Sequence, residues 1–262
     1  MKILGILNIT EDSFSDGGQF LAPEAALAQG RALLKDADIL DIGAVSSNPD
    51  SKPVPPDVEI ARLQSVVTPL KAEGAVISID SFAPEVQRWA LKQGIGCLND
   101  IHGFAEPALY PELAAADVKL IVMHAVRAPA TRDDIPPHEI FGRAVSFFEQ
   151  RVAALTDAGI ARERLILDPG MGFFVGSDPE NSLTLLRRLP ELKARFGLPL
   201  LVSVSRKSFL RKLTNRAPQE AGAASLAAEL FAEANSADYI RTHAPGPLRD
   251  AIKVLKAIGN GR

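Results

Sequence analysis

The chain alternates short apolar runs with longer segments in which apolar residues recur at helical spacing. The predicted strands cover residues 3–7, 39–42, 76–79, 96–98, 119–123, 165–167, 200–204 and 239–240. The predicted helices cover residues 24–35, 58–73, 84–93, 110–116, 140–158, 180–195, 220–235 and 247–258. Short β-branched runs are typical of strands buried on both faces, and the longer periodic segments are typical of the helices that cover them. Eight strand-and-helix units in one chain predict a single (β/α)8 TIM barrel over residues 1–262, as one domain.

A doubly wound open sheet is the main alternative fold. It usually has a glycine-rich phosphate loop after its first strand. Neither the GxGxxG pattern nor the P-loop pattern occurs in this chain. The barrel is therefore the favoured fold.

Composition narrows the class of protein. Of the 262 residues 47% are hydrophobic, which is enough for a large core, and the formal net charge is −3 with the basic residues scattered. This excludes the basic patch of a nucleic-acid or anionic-membrane binder. No run approaches the ~20 apolar residues of a membrane span, and no cleavable leader is visible. The one cysteine, Cys97, agrees with a reducing compartment, so we expect a cytoplasmic protein.

Polar residues follow nearly every predicted strand. In a barrel the carboxyl ends of the strands share one mouth, where the active site lies. Each residue also has a structural explanation: Asp80 and Ser81 could cap a helix, and His124 could be a satisfied buried histidine. Together they favour a site. These strand-end residues are Asn8, Asp41, Asp80, Asn99, Met123, His124, Asp168, Ser205 to Ser208, Arg241 and His243.

The strand-end charges fall into two groups of opposite character. The carboxylates and Asn99 form an acceptor-rich wall suited to an N–H-rich heterocycle. The cations, with Asn8, form a donor set suited to a phosphate. A ligand with a heterocycle at one end and a phosphoester at the other would satisfy both. No HxH or HExxH pattern is present, which leaves a hard cation held mainly by pyrophosphate, with Asn8 as a protein oxygen.

Six motifs at these strand ends resemble dihydropteroate synthase. In chain order they are GILNITEDSFSDGG, SIDSF, LNDI, ILDPGMGF, SRKSF and IRTH. The resemblance spans essentially the whole chain. It implies condensation of 6-hydroxymethyl-7,8-dihydropterin diphosphate with 4-aminobenzoate in folate biosynthesis, with Mg²⁺ as cofactor, small-molecule substrates and a homodimer.

The resemblance also implies roles for individual residues. The pterin-binding set would be Asp80, Asn99, Met123, Asp168, Phe173 and Lys207. The diphosphate-binding set would be Asn8, Arg241 and His243, with Asn8 also holding the metal. The aminobenzoate-binding set would be Ser47, Pro49, Phe173 and Ser208. The catalytic set would be Asp80, Lys207, Arg241 and His243.

The chain departs from the family after its second strand. Most members carry a GGESTRPG-like loop, whereas residues 43–50 read GAVSSNPD, so that Ser47 keeps a hydroxyl and Asn48 removes a positive charge. Ser203 stands where many members have glycine. This pattern resembles sulfonamide-insensitive dihydropteroate synthases, and we expect reduced sulfonamide sensitivity. Neutral variation with ordinary sensitivity is the alternative.

Two other functions compete. The methyltetrahydrofolate-binding domain of corrinoid methyltransferases has a similar barrel, but it does not need the SRKS strand end or a diphosphate-binding Arg-x-His. A non-catalytic pterin-binding barrel is compatible with the altered second loop. Retention of Asn8, Lys207, Arg241 and His243 argues against it, since those groups would serve the leaving diphosphate.

Overall fold

The computed structural model describes residues 1–9, 23–45, 53–126 and 135–259. The strands are β1 (Lys2–Asn8), β2 (Ile39–Gly43), β3 (Ile77–Asp80), β4 (Cys97–Asp100), β5 (Lys119–Met123), β6 (Leu165–Asp168), β7 (Leu201–Val202) and β8 (Tyr239–Thr242). The helices are α1 (Pro23–Leu34), α2 (Pro56–Ala72), α3 (Pro84–Lys92), α4 (Tyr110–Ala115), α5 (Pro137–Asp157), α6 (Pro179–Arg187), α7 (Leu189–Phe196), α8 (Ser208–Thr214), α9 (Gly222–Ala234) and α10 (Pro245–Gly259).

All eight strands are parallel and pair in the order β6-β5-β4-β3-β2-β1-β8-β7. The two ends of this sheet meet, because Leu167 of β6 bridges Leu200, just before β7. The Leu167 amide also donates to the Pro199 carbonyl over 2.9 Å. The predicted (β/α)8 barrel is therefore confirmed.

The core has two layers with different positions. A large apolar layer between strands and helices includes Leu7, Leu40, Leu63 and Phe148. A smaller layer fills the inside of the barrel near its base, and we call it the base layer. Its members are Leu4, Ile39, Cys97, Ile121, Ile166, Leu201 and Tyr239. Burial raises the pKa of the Cys97 thiol to about 12, so this cysteine packs as an inert apolar side chain.

The helices and strands agree with the predicted pattern except in three places. The segment 180–195 is two helices rather than one, because Pro190 lacks the amide hydrogen that a continuous helix needs after Arg187. The SRKSF segment begins an additional helix, α8, which ends where Asn215 takes a left-handed conformation. Predicted strand 200–204 is only two residues long, at Leu201–Val202.

The buried face of α1 differs from the prediction. Helical spacing predicts that Ala25, Leu27 and Ala28 face inward. Leu27 is half-buried and packs against the core, but Ala25 and Ala28 are exposed, and the buried residues are Ala26, Gly30 and Leu33. Gly30 approaches Leu70 so closely that a Cβ there would lie 2.9 Å from a Leu70 methyl group. The buried face of α1 is therefore the face on which Gly30 allows close contact with α2.

Of the helices in the part of the chain that the structure describes, none is long and apolar enough to cross a bilayer.

Candidate active site

The inside of the barrel changes from apolar to polar within two residues. Side chains two apart on a strand point to the same side. Two residues beyond the base layer, the strands therefore present a second inward-facing set at the mouth. Its polar members are Asp41, Asn99, Asp168, Ser203 and Arg241, and β3 adds Asp80 at its own end. Ile6 of β1 and Met123 of β5 are its apolar members. We call this set the mouth layer.

Arg241 holds two carboxylates of the mouth layer together. Its Nε donates to Asp41 Oδ2 over 2.5 Å and its Nη2 donates to Asp80 Oδ2 over 2.7 Å. The Asp41 side chain is fully buried, and those of Arg241 and Asp80 are 13% and 19% exposed. Burial alone would lower the pKa of Arg241, but Asp41 and Asp80 outweigh it and raise that pKa above its usual range. Arg241 is therefore a permanent cation at the centre of the mouth.

Burial raises the pKa values of two carboxyls at the mouth, Asp80 and Asp168. It raises the pKa of Asp80 to about 7, against the opposing effect of Arg241. It raises the pKa of Asp168 to about 6, although the Gly170 amide donates to Asp168 Oδ1 over 2.8 Å. Such carboxyls are suited to an N–H-rich partner, which would stabilise their charged form.

Lys207 lies close to these carboxyls. Burial, and then the charge of Arg241, lowers the pKa of Lys207 to about 8, with Asp168 and Asp80 opposing. Its ammonium also lies 4.7 Å from the centre of the Phe174 ring, in a cation–π contact. The mouth thus contains two cations and three carboxylates within mutual electrostatic reach.

Two asparagines add neutral polar groups. Asn99 is 2% exposed, and its Oδ1 has no hydrogen-bond partner among the described residues. An unpaired buried acceptor is costly, so this oxygen is suited to a donor on a ligand. Asn8 pairs with Gly43 across β1 and β2. A Cβ on Gly43 would lie 3.6 Å from Asp80 Cβ and 3.8 Å from Asn8 Oδ1, which places Asn8 beside Asp80.

One wall of the mouth is apolar. Ile101, Met123 and Phe174 form a small buried cluster against which Phe173 packs. This wall is suited to the face of a flat heterocycle. Met123 and Phe173, both predicted at the pterin, therefore lie on the same side of the mouth.

The loop after β6 fits only with glycine at Gly170. This residue has φ +75°, and a Cβ there would lie 2.2 Å from the His124 carbonyl oxygen. His124 is a buried histidine with its hydrogen bonds satisfied, which is the structural explanation that the sequence analysis gave for it. Its amide donates to the Asp168 carbonyl over 2.8 Å, and its Nδ1–H donates to the Pro169 carbonyl over 3.0 Å.

The phosphate side of the mouth is built by the loops after β7 and β8. Ser205 Oγ lies 3.0 Å from His243 Nδ1 and accepts from the His243 amide over 3.2 Å. Arg206 is exposed and has φ +58°, an unfavourable conformation for a residue with a Cβ. Ser208 is 9% exposed at the start of α8, with its hydroxyl packed against Gly172.

The structure thus brings most of the predicted site residues into one mouth. Ser47 and Pro49, predicted at the aminobenzoate, lie outside the described residues.

The sequence did not reveal every contact of the site. It predicted Asp41 as a strand-end acceptor but not as a partner of Arg241, because only the folded barrel brings together residues 200 positions apart. Two buried glutamates behind the mouth, Glu59 and Glu229, were missed. Each is an acidic residue on the buried face of a helix, a signal that the sequence did carry.

The donor set limits how a metal could bind. Among the described residues no group of three or more His, Cys, Asp or Glu side chains could hold a metal ion. Asn8 offers a single amide oxygen beside Asp80. This fits Mg²⁺, which prefers oxygen ligands and is often held by substrate phosphates with one or two protein groups.

Comparisons with known proteins agree with this geometry. The family model for pterin binding enzymes matches residues 4–243. A dihydropteroate synthase type-2 from Escherichia coli is 56% identical over 258 residues, covering 98% of this chain and 95% of that protein. A dihydropteroate synthase from Xanthomonas albilineans, solved with 4-aminobenzoic acid, has a TM-score of 0.89 and 36% identity, covering 98% of this chain and 93% of that chain.

A second structure of the Xanthomonas albilineans enzyme is a complex with 7,8-dihydropteroate. It has a TM-score of 0.86 and 34% identity, covering 98% of this chain and 93% of that chain. Sequence and three-dimensional similarity both extend over nearly the full length of the chain. The chain belongs to the dihydropteroate synthase family of pterin binding enzymes.

Proposed function

We propose that this dihydropteroate synthase condenses a dihydropterin diphosphate with 4-aminobenzoate at the barrel mouth. The single observation that carries the proposal is the charge pattern of the mouth layer, with an acceptor wall and a cation set within one cavity entrance. Asp80, Asn99, Asp168 and Lys207 bind the pterin against Met123 and Phe173. Arg241 and His243 bind the diphosphate.

The acceptor wall fits the polar edge of a pterin. Asp168 and Asp80 accept from ring N–H groups, and Asn99 Oδ1 accepts a further hydrogen. Binding these donors lowers the raised pKa values of both carboxyls, since a hydrogen bond to the charged form favours it. Arg241 already occupies Asp80 Oδ2, so the other oxygen of Asp80 is the one that faces the pterin.

The cation set stabilises the leaving group. As the diphosphate departs, negative charge grows on the bridging oxygen and positive charge on the pterin methylene. Arg241 and His243 stabilise the first, and the Asp80 carboxylate stabilises the second. Lys207 lies between the two regions, and its pKa is lowered first by burial and then by the positive charge of Arg241. The aniline nitrogen of 4-aminobenzoate then forms the new C–N bond.

Mg²⁺ is the expected cofactor. Asn8 would supply its protein oxygen, with diphosphate oxygens as the other ligands. When bound, the ion would neutralise charge on the leaving diphosphate.

The proposal also includes reduced sensitivity of the enzyme to sulfonamides. It is supported by Asn48 and Ser203, which stand where the family usually has arginine and glycine. Ser203 is buried at the mouth with an unpaired hydroxyl among the described residues. Loss of about 2–3 kcal/mol of drug binding would weaken it on the order of a hundredfold.

We also propose that the enzyme is a cytoplasmic homodimer. A single, buried cysteine, Cys97, supports a reducing compartment. Large exposed apolar residues on the C-terminal helices support self-association: Phe231 on α9 is 44% exposed, and Val254, Leu255 and Ile258 on α10 are 58%, 47% and 66% exposed. Sedimentation of the purified chain tests the dimer.

Diphosphate release tests the function. We expect release that requires both substrates and Mg²⁺ and persists at sulfonamide concentrations that stop a sensitive enzyme. Asn48→Arg and Ser203→Gly, singly and together, should restore inhibition. Turnover abolished by the drug would overturn the insensitivity, and no release with both substrates would favour a non-catalytic pterin-binding barrel.

A further inference from the structure

A polar face of α9 lies behind the phosphate side of the mouth. Ser225 and Glu229 are one turn apart on this helix and are 5% and 2% exposed. Ser225 Oγ accepts from the Arg206 amide over 2.9 Å, and so fixes the backbone of the loop after β7. Glu229 has no such structural task, although burying a carboxyl in an apolar layer is costly.

Glu229 has one side-chain partner at the mouth. The hydroxyl of the fully buried Thr242 faces its carboxyl and lowers the pKa of Glu229 against the effect of burial, while Glu229 Oε1 has no partner in the described part of the chain. Burial raises the pKa of Glu229 to about 7, so near neutrality the side chain can hold a proton. A carboxylic acid, unlike a carboxylate, can donate a hydrogen bond to Thr242.

A continuous chain of contacts joins Glu229 to His243. Thr242 Oγ1 lies 3.4 Å from Ser205 Oγ, and Ser205 Oγ lies 3.0 Å from His243 Nδ1. Both hydroxyl oxygens are held by backbone amides: Thr242 accepts from the Ala244 amide over 3.1 Å and Ser205 from the His243 amide over 3.2 Å. The two hydroxyl oxygens are therefore held in place, and each hydroxyl can still donate its own hydrogen.

Counting hydrogens couples the two ends of this chain. It has three contacts, Glu229 to Thr242, Thr242 to Ser205 and Ser205 to His243, but its two hydroxyls supply only two hydrogens. The third must come from one end. Either Glu229 is protonated and His243 Nδ1 accepts, or Glu229 is ionised and His243 Nδ1 carries a hydrogen.

The surroundings favour the first state without a ligand. Burial and the charges of Arg206, Arg241 and Lys207 lower the pKa of His243 to about 3. A bound diphosphate would place negative charge against the same three cations and reverse their effect on the ring. The second state then becomes favourable, with the ring carrying hydrogens on both nitrogens.

We propose that Glu229 is a proton reservoir for the leaving diphosphate, acting on His243 through the hydroxyls of Thr242 and Ser205. This rests on the proposed function, which places the diphosphate at His243. Glu229 gives its hydrogen to Thr242 Oγ1, Thr242 gives its own to Ser205 Oγ, and Ser205 gives its own to His243 Nδ1. One carboxylic acid and one imidazole become a carboxylate and an imidazolium, with no proton taken from solvent. Because O–H···O bonds are usually about 2.7–2.8 Å long, the Thr242–Ser205 pair must shorten during the transfer.

Calorimetry of inorganic diphosphate binding tests the reservoir. Titrations with Mg²⁺ present, in buffers of different ionisation enthalpy, count the protons taken from solution. We expect Glu229→Gln, which keeps the shape but has no acidic proton, to take up about one proton more than the unaltered enzyme, or to leave His243 neutral. Thr242→Val should behave like Glu229→Gln, and Thr242→Ser like the unaltered enzyme.

Nitrogen NMR of the His243 ring supplies a second measurement. In the unaltered enzyme we expect a neutral ring without diphosphate and a doubly protonated ring with it. Glu59→Gln is the matched control, because Glu59 is also a buried glutamate on an outer helix but bonds Ser81 instead of Thr242. It should leave both the proton count and the ring signal unchanged.

Turnover separates this inference from the proposed function. We expect Glu229→Gln to lower kcat roughly tenfold to a hundredfold with little change in KM, the scale of a lost proton donor. If Thr242→Val fails to fold, Glu229→Leu/Thr242→Val removes both buried partners together. Equal proton counts with a doubly protonated His243 ring in both the unaltered enzyme and Glu229→Gln would overturn the reservoir. A His243 ring that stays neutral in the unaltered enzyme with diphosphate bound would overturn it as well. In either case diphosphate release by the unaltered enzyme would still uphold the function.

Discussion

The base and the mouth of the barrel are built by the same strands, two residues apart, yet they have opposite character. At the base, Ile39, Ile121 and Ile166 fill the interior with apolar side chains. At the mouth, Asp41 and Asp168 stand in the equivalent inward positions. Apolar burial stabilises a fold, while buried charges are at best neutral for stability. The base layer therefore serves stability, and the mouth layer serves binding and chemistry.

The largest effect is expected for Arg241→Met. It removes the cation that pairs with Asp41 and Asp80, and so leaves the buried Asp41 without a counter-ion. We expect turnover to fall on the order of a thousandfold and stability to fall by about 3–5 kcal/mol. Diphosphate release and urea unfolding measure the two effects, and near-normal turnover would contradict the assignment.

A smaller but still large effect is expected for Gly170→Ala. The added Cβ would overlap the His124 carbonyl, and φ is +75° at this position. We expect a loss of about 3–4 kcal/mol. Gly142→Ala is the control, since no heavy atom lies within 4 Å of its Cβ and the position is an exposed helix interior. That change should stabilise by about 0.5–1 kcal/mol.

The pH dependence of stability tests the structural role of His124. Burial lowers the pKa of His124 to about 4. Because the unfolded chain binds this proton first, stability is full above about pH 6.5 and falls as the pH drops towards 4. The loss reaches about 3 kcal/mol at most, from 1.36 kcal/mol per pKa unit.

His124→Gln keeps a hydrogen-bond donor and removes the titration. Urea unfolding at pH 7 and pH 4.5 should show a smaller acid loss in this variant. An equal acid loss in both proteins would show that His124 does not contribute.

The smallest effect is expected at the base. Ile121→Val removes one methylene from the base layer and should cost about 0.5–1.5 kcal/mol, with turnover of the folded enzyme unchanged. Urea unfolding and diphosphate release measure both. A large fall in kcat for this variant would contradict the claim that the base layer serves stability and not chemistry.

Much of the fold could be predicted because its signals are local. The barrel follows from eight apolar runs alternating with helical segments, and the strand ends could be read directly. Local patterns did not reveal that Gly30 brings α1 close to α2, which turned the buried face of α1 towards Ala26. The division of 180–195 into two helices has a local signal in the sequence, Pro190.

The site was partly predictable for the same reason. Strand-end position identified Asp80, Asn99, Asp168 and Lys207 without any structure. The Arg241–Asp41 pair joins residues far apart in sequence, so it needed the barrel to close. The role of Glu229 depends on a chain of four side chains from three elements, which no single motif contains.

The Arg241→Met/Asp41→Leu double variant tests the central claim most directly. It removes both partners of the Arg241–Asp41 ion pair, a change that is often neutral for stability. Asp80 also loses its cation, but it is 19% exposed and burial already raises its pKa to about 7, so it can take up a proton instead. The account predicts an unfolding free energy within about 1 kcal/mol of the unaltered enzyme and diphosphate release lowered on the order of a thousandfold. A stable variant that still releases diphosphate at the normal rate would contradict the claim that the charges of the mouth serve the chemistry.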